Sequence, residues 1–359
     1  MSKLILSLDG GGIRGAATTQ FLSHIEEELA HQNSSIRDYV DFYAGTSTGS
    51  IIALALATTD LTMSEINKLY NYDNAQDIFD PNKGWLQIDG FNAPKYAASG
   101  KTALLKKRMG KATLDDVGRE KHVLAVSYAI EKRAPLVIKS TIEAHRSLLA
   151  CEVADASSAA PTYFPTYEID IPAQSENDYF LIDGGVIANN PTMCAVSEVR
   201  NIWPHIEMEQ IRVLSVGTGF MARKINGPES KKWGAAQWIT HGRILDVLSD
   251  ERVVAYQAMA ILNRGAYIRV NAELQTQPGF QTPPDDAMDD VSRVNIKRLK
   301  KLGDFWFEQY GEQAIALIQG SYTGPSLDRI DPSTGKPKSK TSRSHRSPAC
   351  FHSHQLSKE

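Results

Sequence analysis

Short apolar runs alternate with longer amphipathic segments through the first two thirds of this 359-residue chain. Apolar runs of about four to eight residues are typical of buried strands, and apolar positions recurring every three or four residues are typical of helices. We predict strands at 4–8, 40–44, 122–129, 135–140, 179–182 and 211–216. Helices are predicted at 16–31, 49–58, 63–72, 101–109, 148–156 and 191–202.

This alternation predicts an α/β protein, a three-layer α/β/α sandwich with a largely parallel central sheet. Residues 230–263 and 286–319 also have helical patterns, and we predict that they pack as C-terminal helices. Local signals mark two helix starts. Thr62 and Glu65 have capping-box spacing, and Asn190 before Pro191 is a good N-cap pair.

A serine follows the second predicted strand, in Gly45-Thr46-Ser47-Thr48-Gly49. Glycine two residues to either side permits a sharp strand-to-helix turn, because side chains at those positions would collide. Such a turn exposes the hydroxyl and points the N-terminus of the next helix at any charge that forms there. Ser47 is therefore the candidate nucleophile.

The first predicted strand runs into a glycine motif, Asp9-Gly10-Gly11-Gly12-Ile13-Arg14-Gly15, which opens the next helix. Successive glycines let the backbone approach a substrate, and backbone N–H groups aimed at a tetrahedral oxyanion stabilise the transition state. Arg14 is expected to fix this loop or to add positive charge, and Asp9 to brace it. The predicted oxyanion donors are Gly10, Gly11 and Gly12.

A third motif supplies a base. The apolar run Phe180-Leu181-Ile182 ends at Asp183, which is followed by Gly184 and Gly185. An aspartate at its reference pKa of ~3.9 is a weak base at neutral pH. Partial desolvation in a cleft would raise that pKa and strengthen the base. The motifs predict a Ser47–Asp183 dyad without a histidine.

In this order, these motifs resemble the patatin-like phospholipase family, also called patatin-type lipid acyl hydrolases. The resemblance covers most of the first 220 residues. It implies a patatin-like fold and a Ser–Asp dyad that cleaves acyl esters of phospholipids or related lipids, with no cofactor and no metal. Some bacterial members of the family are activated by a nucleotide signal, so regulation of this chain by a nucleotide is left as an open alternative. Further matching runs are 113–117, 157–165, 189–191 and 214–219.

A dinucleotide-binding site is the first alternative, because Gly10, Gly12 and Gly15 have G-x-G-x-x-G spacing after a strand. That fingerprint also needs an acidic residue about 20 positions on, at the end of the second strand. Asp38 and Asp41 precede or begin the second predicted strand instead. The spacing alone is a weak indication.

Two further alternatives concern the mechanism. A general carboxylesterase has a triad in the chain order Ser, Asp, His, and both His205 and His241 follow Asp183. His205 is predicted in a surface loop and His241 inside a helix, where a structural histidine is the more common case. The other alternative is a catalytically weak lipid-binding or signalling scaffold, which the intact Ser47 and Asp183 disfavour.

Composition limits the class of protein and the compartment in which it is expected. Hydrophobic content of 42% with 23% charged residues is ordinary for a soluble globular enzyme. The net charge of −3 says little about partners, and we expect no nucleic-acid polymer among them. The three cysteines are too scattered for a disulfide framework or a metal site. No signal-peptide core or run of about 18–20 apolar residues occurs. We expect a cytoplasmic protein that contacts a membrane or micellar lipid peripherally.

The composition changes near Gly324. Residues 325–359 hold seven Lys/Arg and three Asp/Glu, with few apolar positions. Such a composition predicts disorder, and a solvated tail is favoured over one that contacts anionic lipid. The predicted organisation is one acyl hydrolase domain over 1–324, with core motifs in 4–220 and a helical part in 230–320, followed by a basic tail over 325–359.

Overall fold

The computed structural model describes residues 2–81, 93–172, 179–221, 225, 227–234, 237–238, 247–275, 280 and 282–339. Their strands form one mixed sheet. The strands are β1 Lys3–Leu8, β2 Phe42–Thr46, β3 His122–Ala129, β4 Ala134–Lys139, β5 Tyr167–Ile169, β6 Tyr179–Asp183, β7 Ile211–Val216, β8 Tyr267–Val270, β9 Leu327–Asp331 and β10 Lys336–Ser339.

The sheet order is β10-β9-β8-β7-β1-β2-β3-β6-β5, and β4 pairs with β3 outside that path. The centre, from β9 through β8, β7, β1 and β2 to β3, is parallel. The strands β4, β5, β6 and β10 pair antiparallel with their neighbours. The prediction of a largely parallel central sheet therefore holds for the middle of the sheet, while both sides are antiparallel.

Helices cover the two faces of the sheet. They are α1 Gly15–Ala30, α2 Ile36–Tyr39, α3 Thr48–Thr58, α4 Met63–Lys68, α5 Tyr72–Ile78, α6 Ala98–Met109, α7 Glu143–Arg146, α8 Ala150–Ser157, α9 Gly185–Ala188, α10 Thr192–Ile202, α11 Gly227–Ser230, α12 Arg252–Ile261 and α13 Arg293–Gln319. Short 3₁₀ turns lie at Gly12–Arg14, Leu114–Asp116 and Met208–Gln210. The capping box at Thr62 and Glu65 is confirmed.

Two hydrophobic cores lie on opposite sides of the sheet, and β1 contributes side chains to both. Leu4 and Leu6 belong to the larger core, which α1, α3, α8 and α13 cover. Ile5 points to the smaller core, which α10 and α12 cover. Alternate residues of a strand face opposite sides of a sheet, so this division is what a strand buried on both faces produces. The three-layer α/β/α prediction is confirmed.

The C-terminal region departs from the prediction. Residues 327–339 form the β9–β10 hairpin instead of a disordered tail, because Leu327 and Ile330 are buried and β9 extends the sheet beside β8. The rest of the predicted tail, 340–359, lies outside the described residues. Residues 230–263 were expected to be helical throughout; α12 lies in this range, and part of the range is not described.

Three further features of the described residues bear on function. None of the helices in the described ranges is both long and apolar enough to cross a membrane. The same residues contain no group of three or more His, Cys, Asp or Glu side chains suited to a metal ion. Cys151 and Cys194 are both free thiols.

Candidate active site

Ser47 occupies a sharp turn between β2 and α3. Its backbone angles are φ 53° and ψ −125°, a region that residues other than glycine rarely adopt. A Cβ at Gly45 would lie 2.4 Å from the Gly49 carbonyl oxygen, and one at Gly49 would lie 2.1 Å from the Leu8 carbonyl oxygen. The flanking glycines therefore make room for the turn, as the sequence pattern predicts.

The strand register brings Asp183 to this turn. The strand β2 pairs with β3 and ends where Thr46 lies opposite Val126. The strand β6 pairs with residues Ser127–Ala129 of β3 and ends where Asp183 lies opposite Ser127. Since β4 takes the other edge of β3 over the same residues, β2 and β6 share one edge and meet end to end. Ser47 and Asp183 lie at that junction.

The Asp183 carboxylate is buried and hydrogen-bonded. The Gly185 N–H donates to its Oδ1 at 2.7 Å, and the nearby Ser47 hydroxyl favours the ionised form of the carboxylate. Burial raises the pKa of Asp183 to about 6, against the Ser47 hydroxyl, the Gly185 N–H and the nearby Lys101 cation, which lower it. The carboxylate is thus a stronger base than an exposed aspartate and is still ionised at neutral pH.

The C-terminal turn of α8 contacts both residues. The Ser157 Oγ accepts from the Ser47 N–H at 3.1 Å and donates to the Val126 carbonyl at 2.6 Å. The Ala159 carbonyl accepts from the Asp183 N–H at 3.0 Å. One short segment therefore fixes the backbone of the candidate nucleophile and of the candidate base.

The glycine loop lies beside the serine turn because β1 and β2 are parallel neighbours, with Leu8 paired to Gly45. Among the described residues, no acceptor is found for the N–H groups of Gly11 and Gly12, and both residues line the cavity at Ser47. Gly10 differs, because its N–H donates to the Asn189 carbonyl at 3.1 Å. The prediction that all three glycines donate to an oxyanion is corrected for Gly10.

A buried cluster of charged side chains holds the glycine loop in place. The Arg269 guanidinium pairs with both carboxylate oxygens of Asp9 and lies 3.0 Å from Glu251 Oε2. All three side chains are buried, so each needs a charged partner to offset its lost hydration. Asp9 braces the loop in this way. Arg14 donates from Nε to the Gly11 carbonyl at 3.2 Å and also lines the cavity.

A mostly apolar cavity of ≈ 110 Å³ opens at Ser47 and Asp183. An apolar cavity beside a serine and a carboxylate suits a hydrocarbon chain attached to a reactive ester. Its apolar lining includes Ile51, Leu69, Phe79, Leu104, Leu105 and Phe164.

The geometry tests the triad alternative. His205 is exposed and lies just before β7, whose first residue is Ile211, so it stands at the edge of the sheet opposite the Ser47 turn. None of the histidines in the described ranges lines the cavity. His241 lies outside the described residues.

The geometry also tests the dinucleotide alternative. Asp41 accepts a hydrogen bond from the Leu4 N–H at 2.8 Å, at the start of β1 and away from the glycine loop. Asp38 accepts from the Ser35 N–H at 2.8 Å within a helix cap. Neither carboxylate stands at the end of β2, where a ribose would need it.

Three residues that contact or line the candidate site were not predicted from the sequence. Lys101 lines the cavity from α6, Ser157 binds the Ser47 backbone, and Arg269 holds Asp9. Arg269 stands in an apolar run, Tyr267-Ile268-Arg269-Val270, where a charge signals a buried partner. Ser157 begins the run 157–165 that resembles the family, but the resemblance gave it no role in the site. Lys101 has no comparable local signal.

The sequence is similar to those of known proteins. The Patatin-like phospholipase family matches residues 6–196. Patatin-like protein 2 of Oryza sativa subsp. indica is 27% identical over 356 residues, covering 89% of this chain and 86% of the rice protein. The cGAMP-activated phospholipase of Escherichia coli (strain TW11681) is 35% identical over 230 residues, covering 60% of this chain and 61% of that protein.

Among solved structures, VipD from Legionella pneumophila matches with a TM-score of 0.38 at 14% identity, covering 84% of this chain and 67% of VipD. The family match, by contrast, spans more than half of the present chain and includes the glycine loop, Ser47 and Asp183. The chain is a member of the patatin-like phospholipase family.

Proposed function

We propose that this lipid acyl hydrolase cleaves fatty-acyl esters of phospholipids or related lipids through a Ser47–Asp183 dyad. The supporting observation is the placement of the Ser47 hydroxyl beside the buried Asp183 carboxylate, where both residues line an apolar cavity. Contact with the membrane or micelle is proposed to be peripheral. The E. coli relative is named for activation by cGAMP, and a regulatory nucleotide stays a prediction for this chain.

In the first half-reaction, Ser47 Oγ attacks the acyl carbonyl carbon while Asp183 takes the hydroxyl proton. The carbonyl π electrons move to oxygen and form a tetrahedral oxyanion. Collapse of that intermediate breaks the ester C–O bond, and protonated Asp183 gives its proton to the leaving alcohol. An acyl-Ser47 ester and an ionised Asp183 remain.

In the second half-reaction, Asp183 takes a proton from water, and the resulting hydroxide attacks the acyl-Ser47 carbonyl. Collapse of the second intermediate releases the fatty acid, and Ser47 Oγ recovers its proton from Asp183. In both half-reactions the oxyanion is proposed to bind the N–H groups of Gly11 and Gly12, with Arg14 beside them. No step in this mechanism uses a cofactor or a metal.

The nucleophile is tested with Ser47→Ala and a fluorophosphonate probe, which labels only an activated serine. We expect the wild-type protein to be labelled and to release fatty acids from mixed lipid extract, as measured by mass spectrometry. Ser47→Ala should lose both properties while keeping its circular dichroism spectrum. A folded Ser47→Ala protein with appreciable turnover would overturn the mechanism.

The base is tested in the same assays. Asp183→Asn should lose several orders of magnitude in kcat, because a neutral amide cannot accept the proton. His205→Ala is the matched comparison, and its kcat should stay within about tenfold of wild type, ~1.4 kcal/mol in the barrier. Equal damage from the two substitutions would favour a Ser-His-Asp triad.

A further inference from the structure

We propose that Lys101 is a positioning residue of the acyl-transfer reaction, which fastens the C-terminal turn of α8 so that this turn holds Ser47 and Asp183 together. This inference rests on the proposed dyad. It assigns a role to a buried cation that the mechanism above does not use.

Lys101 makes an unusually complete set of contacts for a buried lysine. Its side chain is 3% exposed, and Nζ lies 2.9 Å from Asp155 Oδ1. Nζ also donates to the Ser158 carbonyl at 2.8 Å, to Ser158 Oγ at 3.1 Å and to the Asp155 carbonyl at 3.2 Å. Thr102, the next residue of α6, donates to the second oxygen of the same carboxylate. The start of α6 is therefore attached to the end of α8 by charge and by hydrogen bonds.

The fastened turn is the segment that binds the dyad. Ser157 lies between Asp155 and Ser158, and its hydroxyl accepts from the Ser47 N–H. Its carbonyl accepts from the Gly184 N–H at 3.4 Å, and the Ala159 carbonyl accepts from the Asp183 N–H at 3.0 Å. The ends of an α-helix leave carbonyl groups without partners inside the helix. Lys101 binds the Ser158 carbonyl at this end and also the Asp155 carbonyl, which accepts from the Ser158 N–H at 3.3 Å as well. The neighbouring carbonyls of Ser157 and Ala159 bind the end of the strand that carries the proposed base.

The charge of Lys101 also reaches Asp183. Both side chains line the same cavity, and the cation lowers the pKa of Asp183 against the larger effect of burial. The Ser47 hydroxyl and the Gly185 N–H face Asp183 from their own elements, and Arg14 lines the cavity as well. Asp155 faces Lys101 from α8 and partly neutralises it. Loss of the cation should therefore raise the pKa of Asp183.

The first test compares Lys101→Met with Lys106→Met, which removes an exposed lysine from the same helix. For Lys101→Met we expect kcat to fall about 10²-fold, the scale of a small misplacement of reacting groups, with a much smaller change in KM. The acidic limb of the profile of kcat/KM against pH should move to higher pH. Lys106→Met should match wild type in all three quantities.

A second variant separates positioning from general stability. Lys101→Met leaves Asp155 buried without its cation, whereas Lys101→Met/Asp155→Leu replaces the pair by apolar side chains, a change that proteins often tolerate. The double variant should fold and still show the raised acidic limb and the lowered kcat. Lys101→Arg, which keeps the charge, should return the acidic limb towards wild type.

Two results would overturn the inference: wild-type kcat and pH profile in Lys101→Met, or in the folded double variant. Failure of the dyad is distinguishable, because it appears as activity in Ser47→Ala whatever happens at Lys101. Loss of activity in Ser47→Ala together with wild-type behaviour in both Lys101 variants would reject only the role of Lys101.

Discussion

At the scale of single residues, Asp183 is the group whose surroundings change its chemistry most directly. Burial raises its pKa to about 6, and the hydrogen bonds and the Lys101 cation limit that rise. A general base acts in its ionised form, so activity should be present above this pKa and lost as pH falls through it. We expect kcat/KM for a neutral ester to rise with pH around 6 and then to level off.

The measurement is a pH series of kcat/KM with a substrate that does not ionise in the range. Protein held at each pH and returned to neutral pH controls for irreversible unfolding. Activity that stays constant from neutral pH down to about pH 5 would mean that Asp183 has an ordinary acidity, with a pKa near ~3.9, and the proposed desolvation of the base would be wrong.

At the scale of elements, the glycine loop after β1 combines two constraints. Gly11 and Gly12 line the cavity, and the loop backbone packs closely on the neighbouring loop: a Cβ on Gly11 would lie 2.1 Å from Thr218 Oγ1. Thr218 in turn donates to the Gly10 carbonyl at 2.8 Å, so the loop cannot move away freely. Gly11→Ala should displace the donors and lower kcat by about 10²–10³-fold.

Gly227→Ala is the matched control, because a Cβ at Gly227 meets nothing within 4 Å. Fluorophosphonate labelling of Ser47 should slow in parallel with kcat in Gly11→Ala, while the affinity for lipid vesicles should change little. Normal labelling and turnover in Gly11→Ala would show that the loop does not bind the oxyanion.

The elements also show what sequence can reveal. The turn at Ser47 and the glycine loop follow from local spacing, since sterics over five to seven residues decide both. The direction of β6 does not, because parallel and antiparallel pairing depend on the partner strand. Asp183 was predicted as a strand-end residue, and the structure places it there on an antiparallel strand. Lys101 has its partners in α8, far along the chain, so no local pattern marks it.

At the scale of the whole molecule, the C-terminal hairpin belongs to the folded sheet. Leu327 and Ile330 are buried, and the Ile330 N–H donates to the Asn271 carbonyl at 2.9 Å. Truncation after Gly324 should lower the free energy of unfolding by ~3–6 kcal/mol, from two apolar side chains worth about 1.5–3 kcal/mol each. Truncation after Ser339 removes a segment with few apolar side chains and should change stability by less than about 0.5 kcal/mol.

Urea denaturation of the two truncated proteins and of the full chain measures these differences. Equal stability of the two truncated proteins would show that β9 and β10 add nothing to the fold. These strands are mostly polar, which explains why composition predicted disorder. Two buried apolar residues are enough to order the segment because the edge of the sheet offers unpaired backbone groups to bind it.

The end-to-end meeting of β2 and β6 on one edge of β3 also sets an order of events in folding. Ser47 lies in a local turn, whereas Asp183, its proposed base, comes from a distant part of the chain and is brought to Ser47 by the pairing of β3 with both strands. Contacts between distant segments carry a large loop-closure cost and tend to form late. We therefore expect the nascent chain to carry Ser47 without Asp183 beside it, and the proposed dyad to form only when the sheet is nearly complete.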